Sequence, residues 1–174
     1  MQTTLESVGG DIKDLPIEQL FSIQVDTHER LKLRFEYDMR GIYDVLITSY
    51  RLPQIKTLKV IEAGGIDYDH KYVNRQQFNE LLAKKEGCSD ILILKNGRVT
   101  DTSFTNVAFL KDEQWFTPTR PLLRGTHRAL LLSEKRIEEK DIFISDLTDY
   151  TAISLFNAMI NLGEIVLPID NIIL

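Results

Sequence analysis

The sequence predicts an α+β protein built largely from antiparallel hairpins. Three observations carry that expectation. Leu31-Lys-Leu33-Arg-Phe35-Glu-Tyr37 alternates apolar and charged residues, the pattern of a half-buried strand. Asn96-Gly97 lies between two apolar runs, and both residues tolerate positive φ, which makes it the strongest short hairpin signal in the chain. Two windows, Val73 to Glu86 and Thr126 to about Glu134, carry helical spacing instead.

Taken in order, Met1 to Val8 reads as the end of a helix stopped by Gly9-Gly10. Asp14-Leu-Pro16 opens a helix through Phe21 and Ile23, with Pro16 near its first turn. The strand over 31–37 turns at Met39-Arg-Gly41 into a hairpin partner, Ile42 to Ile47. Tyr50 to Gln54, with Pro53, is a linker, which divides the chain into a small domain over 1–52 and a larger one over 53–174. A strand over Thr57 to Ile61 opens the second domain, and Gly64-Gly65 ends it. The helix over 73–86 puts Phe78, Leu81 and Leu82 on one face, with Gly87 as its cap. Ile91 to Leu94, Val99, Val107 to Leu110 and Trp115-Phe116 continue the sheet, with an Asp101 turn and an Asp112-Glu113 hairpin between them. From Ile142 onward short strands and turns alternate, and Ser154-Leu-Phe-Asn157 is the most strand-like stretch.

Bulk properties narrow the function classes. A chain of 174 residues can bury a real core. A net charge of -5 argues against nucleic acid as the main partner. One cysteine, Cys88, excludes an intrachain disulfide. No apolar run is long enough to span a membrane and no signal-peptide pattern opens the chain, so the expectation is a cytoplasmic protein without a membrane partner. Three histidines and one cysteine, all widely spaced, make no metal site.

Three segments could do chemistry. Asp67-Tyr-Asp-His-Lys71-Tyr-Val-Asn74-Arg75 places a lysine in a loop. A lone lysine is ordinarily solvated, but an imine-forming lysine needs such a fixed position beside a carbonyl. Thr100-Asp101-Thr102-Ser103 follows a hairpin strand. Asp101 reads either as a turn aspartate bonded to nearby amides or as a carboxylate facing the ring nitrogen of a cofactor. Thr102, Ser103 and Asn106 could add hydrogen bonds. Gly125-Thr126-His127-Arg128 opens a helix, and its outward N–H groups with the helix dipole suit a phosphate. Asn157 could add a polar contact at a strand end.

These segments, in order, resemble the class IV aminotransferases, the fold-type IV group of pyridoxal-phosphate enzymes. The matching residues are Lys71-Tyr-Val-Asn74-Arg75, Val99-Thr-Asp101-Thr-Ser103 with Asn106-Val-Ala-Phe109, Thr117-Pro118, Leu122-Leu-Arg-Gly125-Thr-His-Arg128 and Phe156-Asn157-Ala158. The match runs from about Thr57 to Asp170, and the Lys-x-x-Asn-Arg form is most similar to the aminodeoxychorismate lyase branch. The resemblance implies a two-domain fold, with a shortened small domain and a larger pseudo-barrel domain. It implies Lys71 as the internal aldimine lysine and proton shuttle. It implies Asp101 at the ring nitrogen, with Thr102 nearby, a phosphate held by backbone amides at Gly125, Thr126 and His127, and Asn157 beside it. It implies a small amino-bearing substrate, transaminase or lyase chemistry, and a homodimer.

The sequence departs from the family in three ways. Asp101 stands where glutamate is usual, one methylene shorter, so a closer backbone or a water must rebuild its contact. His127 stands where threonine is common. The chain opens at Met1-Gln-Thr-Thr-Leu-Glu-Ser, which aligns with the middle of the family's first helix. The expectation is therefore a longer parent protein or a truncated gene, lacking two strands and a phosphate-clamping arginine. A degenerate, non-enzymatic binding protein is the alternative reading. Arg34 and Arg40, near the first hairpin, are candidates for holding a substrate carboxylate, and exposed strand arginines are the plainer reading of both.

Overall fold

The computed structural model describes residues 28–38, 41–66, 68 and 70–174. The expected helices over Met1 to Val8 and Asp14 to Ile23, and the turn residues Met39 and Arg40, lie outside them. The chain divides into two compact units, 1–52 and 53–174.

In the first unit, β1 (Leu31–Asp38) and β2 (Gly41–Ser49) form an antiparallel pair. Alternating side chains in β1 give it one half-buried face, as its sequence requires. A register shift between Arg34 and Glu36 marks a bulge. The Tyr50 N–H donates to Arg30 O at 2.7 Å, closing the open end of the hairpin. Arg34 pairs with Glu36 on the surface of the same strand.

The second unit holds two sheets. In the first, β3 (Leu58–Glu62) lies parallel to β4 (Asp90–Lys95), and β4 pairs antiparallel with β5 (Arg98–Thr102). Parallel neighbours need a crossover, and helix α1 (Gln76–Leu82) supplies it. Its Phe78 is buried with Ile66, Tyr68, Ile91, Ile93 and Leu122, and Leu81 and Leu82 pack at the edge of that cluster. The apolar face read from the sequence is thus the face that packs. The helix itself is shorter than expected. It ends at Leu82, and Gly87, with φ +82, serves the turn beyond rather than the helix cap.

The second sheet runs β10-β9-β6-β7-β8. Its strands are β6 (Asn106–Lys111), β7 (Gln114–Pro118), β8 (Glu138–Lys140), β9 (Ala152–Asn157) and β10 (Ile160–Pro168). Helix α2 (Thr126–Ser133) covers it, with Leu131 buried against Ala108, Ile137 and Phe156. A 3-10 turn over Ile144–Asp149 precedes β9, where the sequence suggests only strands and turns. The chain ends in β11 (Ile172–Ile173), parallel to β3. Among the described residues, no helix is long and apolar enough to cross a membrane.

Two local devices matter for the site. At the β4–β5 hairpin, Asn96 and Gly97 both take positive φ, the geometry their sequence predicts. Their N–H groups donate to the two Glu62 carboxylate oxygens at 2.8 and 3.0 Å, which ties the hairpin to the end of β3. Further along, Leu92 pairs with Thr102 while Leu94 pairs with Val99. Two residues of β5, Thr100 and Asp101, therefore face the single Ile93, which is a β-bulge. The Thr100 hydroxyl donates to Ile93 O at 2.8 Å. The bulge breaks simple alternation, so Val99, Thr100, Asp101 and Thr102 are all buried.

The hairpin gives a direct stability test. Gly97 and Gly65 both have open space where a side chain would project, but only Gly97 has a positive φ, +73. Gly97→Ala should cost about 1 kcal/mol or more through backbone strain, and Gly65→Ala should cost little. Urea unfolding of the two variants beside the parent measures both, and equal costs would contradict the strained-turn account.

Candidate active site

The bulge sets Asp101 apart from an ordinary turn aspartate. The sequence places it in a turn, but it lies inside β5 with 5% of its surface exposed. Its Oδ1 accepts from the Asn106 side-chain amide at 2.9 Å, and its Oδ2 accepts from the Leu123 N–H at 2.9 Å. Burial raises its pKa to about 6, opposed by the Leu123 N–H, the Asn106 amide and the charge of Arg128.

Asn106, the first residue of β6, spends its second amide hydrogen on Leu123 O at 2.8 Å. Both acceptors are oxygens, so the amide orientation follows from the chemistry. The Asn106 Oδ1 then lies only 2.2 Å from where a side-chain carbon on residue 125 would sit. Glycine is required at 125 by space, not by backbone angle, since its φ is -62. One asparagine thus fixes the Asp101 carboxylate, the Leu122-Leu123 stretch and the start of α2 against each other.

Helix α2 begins without a side-chain cap at Gly125. Its first intrahelical bond runs from the Ala129 N–H to Gly125 O at 3.0 Å. The N–H groups of Thr126 and His127 therefore have no partner within the helix, and the positive end of the dipole points outward with them. Arg128, 3% exposed, donates to Pro118 O at 2.8 Å and to Glu139 at 2.6 Å, fastening the helix start to the ends of β7 and β8. The His127 ring turns away from the helix axis toward β9. Its Nδ1 lies 2.6 Å from Asn157 O, and since a carbonyl only accepts, Nδ1 carries the hydrogen. The Asn157 side chain donates to Phe104 O at 3.2 Å and accepts from the Met159 N–H at 2.8 Å.

The turn joining β5 to β6 is where the chain passes from one sheet to the other. The Thr102 N–H donates to Thr105 O at 3.0 Å, and the Thr105 N–H returns to the Thr102 hydroxyl at 3.1 Å. The two threonine hydroxyls are 2.7 Å apart. The family resemblance sets Thr102 among the cofactor contacts, but its hydroxyl is committed to this turn. Beneath it lies Asp90, 2% exposed, whose pKa burial raises against the opposing Ser103 hydroxyl.

Lys71 lies in the loop between β3 and α1, beyond the carboxyl end of β3, and its surface is exposed. Ligands of open α/β sheets commonly bind at such strand ends. Asp67 and Asp69 of the same segment lie outside the described residues. Arg75, at the end of the loop, donates to the Tyr68 hydroxyl at 3.2 Å and to Ser103 O. The structure therefore connects the loop of Lys71 to the turn beside Asp101. It likewise connects Asn157 to that turn, and Gly125 to Asp101 through Asn106. Sequence reasoning misses the clamp made by Asn106, the Leu123 N–H and the role of Arg75. Arg34 is engaged with Glu36 in the first unit, and Arg40 lies outside the described residues.

Comparison with known proteins gives the chain a family. Residues 38–167 match the family Amino-transferase class IV. A curated protein of Haemophilus influenzae Rd, named only as uncharacterized, is 35% identical over 147 residues, covering 82% of this chain and 78% of its own length. A crystal structure of a candidate 4-amino-4-deoxychorismate lyase from Haemophilus somnus 129PT is 36% identical with a TM-score of 0.78, covering 84% of this chain and 75% of that one. A candidate amino-acid aminotransferase from Mesorhizobium loti shares the fold, with 22% identity, a TM-score of 0.74, and coverage of 95% and 86%.

The buried carboxylate has a measurable consequence. In the folded chain Asp101 keeps its proton to about pH 6, against an ordinary value of 3.8. The folded state binds the proton more tightly than the unfolded state, so this group's contribution to stability falls as pH rises from about 4 to about 6. The unfolding free energy of the parent minus that of Asp101→Asn should drop by up to about 3 kcal/mol across that window. Urea titrations of both proteins at several pH values read this difference. A flat difference, or a rise, would contradict it.

Proposed function

The chain belongs to the class IV aminotransferase family, and from that premise we propose that it holds pyridoxal phosphate on Lys71 and acts on a small amino-bearing substrate. Aminodeoxychorismate is the first substrate to test. The carrying observation is the Asn106 clamp, which fixes a buried carboxylate and an uncapped helix N-terminus at a set separation. A ring with a basic nitrogen at one side and a phosphate arm at the other needs that pair of partners.

The residues present fit the cofactor. Lys71 is an exposed residue on a loop. Asp101 has both oxygens oriented by N–H donors, and each oxygen keeps a further lone pair for a cationic N–H. The free N–H groups of Thr126 and His127 suit a phosphate. Pyridoxal phosphate, when bound, supplies an aldehyde for Lys71 and a ring that takes up electrons released at the substrate's α-carbon.

The chain's own groups then have distinct tasks. Asp101, mostly ionised at neutral pH with a pKa of about 6, holds a proton on the ring nitrogen. The Leu123 N–H, from the loop before α2, meets the shorter aspartate directly. Thr126 and His127 orient the phosphate through their backbone N–H groups, whereas the N–H of Gly125, expected among them, is taken by Leu123 O at 2.9 Å. The His127 side chain braces the Asn157 carbonyl instead. Asn157 keeps the Phe104 end of the turn in place. Lys71 Nζ moves the proton at the substrate's α-carbon. A homodimer and a cytoplasmic setting accompany this reading, following the family resemblance.

The test is chemical trapping. Pyridoxal phosphate is added to the purified protein, the visible spectrum is recorded, and the mixture is reduced with borohydride and mapped by peptide mass spectrometry. The expected result is a protein-bound imine band and a single adduct on Lys71, both lost in Lys71→Ala. Turnover of aminodeoxychorismate or of amino acids should disappear in the same variant. An adduct on another lysine would overturn the assignment of Lys71. No adduct at all would favour a binding protein that has left the chemistry.

A further inference from the structure

We propose that Arg75 positions Lys71, by tying the loop that carries Lys71 to the Thr102–Thr105 turn at the end of the strand that carries Asp101. The inference rests on the roles given above to Lys71 and Asp101.

The geometry is that of a two-pronged bridge. Arg75 ends the loop and directly precedes α1. One terminal nitrogen donates to the Tyr68 hydroxyl at 3.2 Å, and the other donates to Ser103 O. The Tyr68 hydroxyl in turn donates to Tyr72 O at 3.3 Å, closing the segment in which Lys71 sits. The guanidinium lies 4.5 Å from the centre of the Phe78 ring and 5.9 Å from that of Tyr68. The two rings meet edge-on at 4.6 Å, and both are buried. The bridge is therefore held at its base by the apolar cluster under α1.

The described residues around Lys71 form neither helix nor strand, so the ties that Arg75 makes on either side of this stretch help set where the lysine stands. Reaction with a carbonyl demands a fixed approach, and a misplacement of about 1 Å can cost on the order of a hundredfold. A guanidinium can serve two acceptors on different segments in one plane, which a lysine ammonium does not do with the same geometry. Arg75 is a positioning residue in this reading. It acts through the backbone on either side of Lys71.

The experiment compares the parent with Arg75→Ala, Arg75→Lys, Tyr68→Phe and Leu81→Ala. The rate of borohydride-trapped adduct formation on Lys71 is measured at saturating pyridoxal phosphate, per folded molecule. Hydrogen exchange without cofactor is followed in peptides covering 66–76 and 102–106. Arg75→Ala should trap at least about tenfold more slowly, and added methylguanidinium should restore much of the rate. Arg75→Lys should stay near the alanine variant, with Tyr68→Phe between it and the parent. Both peptides should exchange faster in Arg75→Ala. Leu81→Ala trims the edge of the apolar base and leaves both Arg75 hydrogen bonds in place, so its trapping rate should fall much less than that of Arg75→Ala.

Trapping at the parent rate in Arg75→Ala would overturn the proposal, as would an equal loss in Leu81→Ala or unchanged exchange in the two peptides. If the parent itself forms no adduct on Lys71, the assignment of Lys71 fails. The exchange measurement then decides by itself whether Arg75 holds the two segments together.

Discussion

The side-chain amide of Asn106 is the constraint on which the rest of the site depends. It gives one hydrogen to Asp101 and the other to Leu123 O, while its oxygen occupies the space a side chain at 125 would need. A buried amide with two oxygen acceptors has no freedom to rotate without stranding them, and each stranded group costs about 1–3 kcal/mol. The stretches 101–106 and 123–125 therefore share one rigid joint. The bulge in β5 turns the carboxylate toward that joint, and glycine lets α2 start against it.

The joint also explains how a short acid can occupy the position. Aspartate reaches less far than glutamate, yet here a backbone N–H from Leu123 meets it. The loop that carries Leu123 comes to the carboxylate, so the acid does not need the extra methylene to be held. Its surroundings are apolar enough to raise its pKa, and Arg128 behind the helix start offsets part of that penalty. A carboxylate buried in this way is stabilised in its charged form by a positively charged neighbour.

Much of this is legible in the sequence because the signals are local. Alternation marks β1, the Asn96-Gly97 pair marks the hairpin, and Phe78 with Leu81 and Leu82 marks the packed face of α1. The ordered motifs around Lys71, Asp101, Gly125 and Asn157 mark the family. What escapes is set by contacts distant in sequence. Strand β11 pairs with β3 across most of the domain, and β8 is three charged residues whose only strand signal is their neighbour β7. The bulge at Thr100 and Asp101 leaves no mark in composition, because Thr-Asp-Thr reads equally well as a turn. Sequence alone therefore places Asp101 beyond the strand rather than within it. Thr102 looks like a ligand contact because its hydroxyl's use inside the turn depends on Thr105 folding back. Arg75 looks like part of a motif, and only the structure shows which two segments it joins.

The central claim is that Asp101, held by Asn106, faces the ring nitrogen of a bound pyridoxal phosphate. Nitrogen NMR of the protein loaded with cofactor labelled at the ring nitrogen tests it most directly. The account predicts a protonated ring nitrogen near neutral pH in the parent, and an unprotonated one when Asp101 is replaced by asparagine. An unprotonated nitrogen in the parent, or the same signal in both proteins, would contradict it.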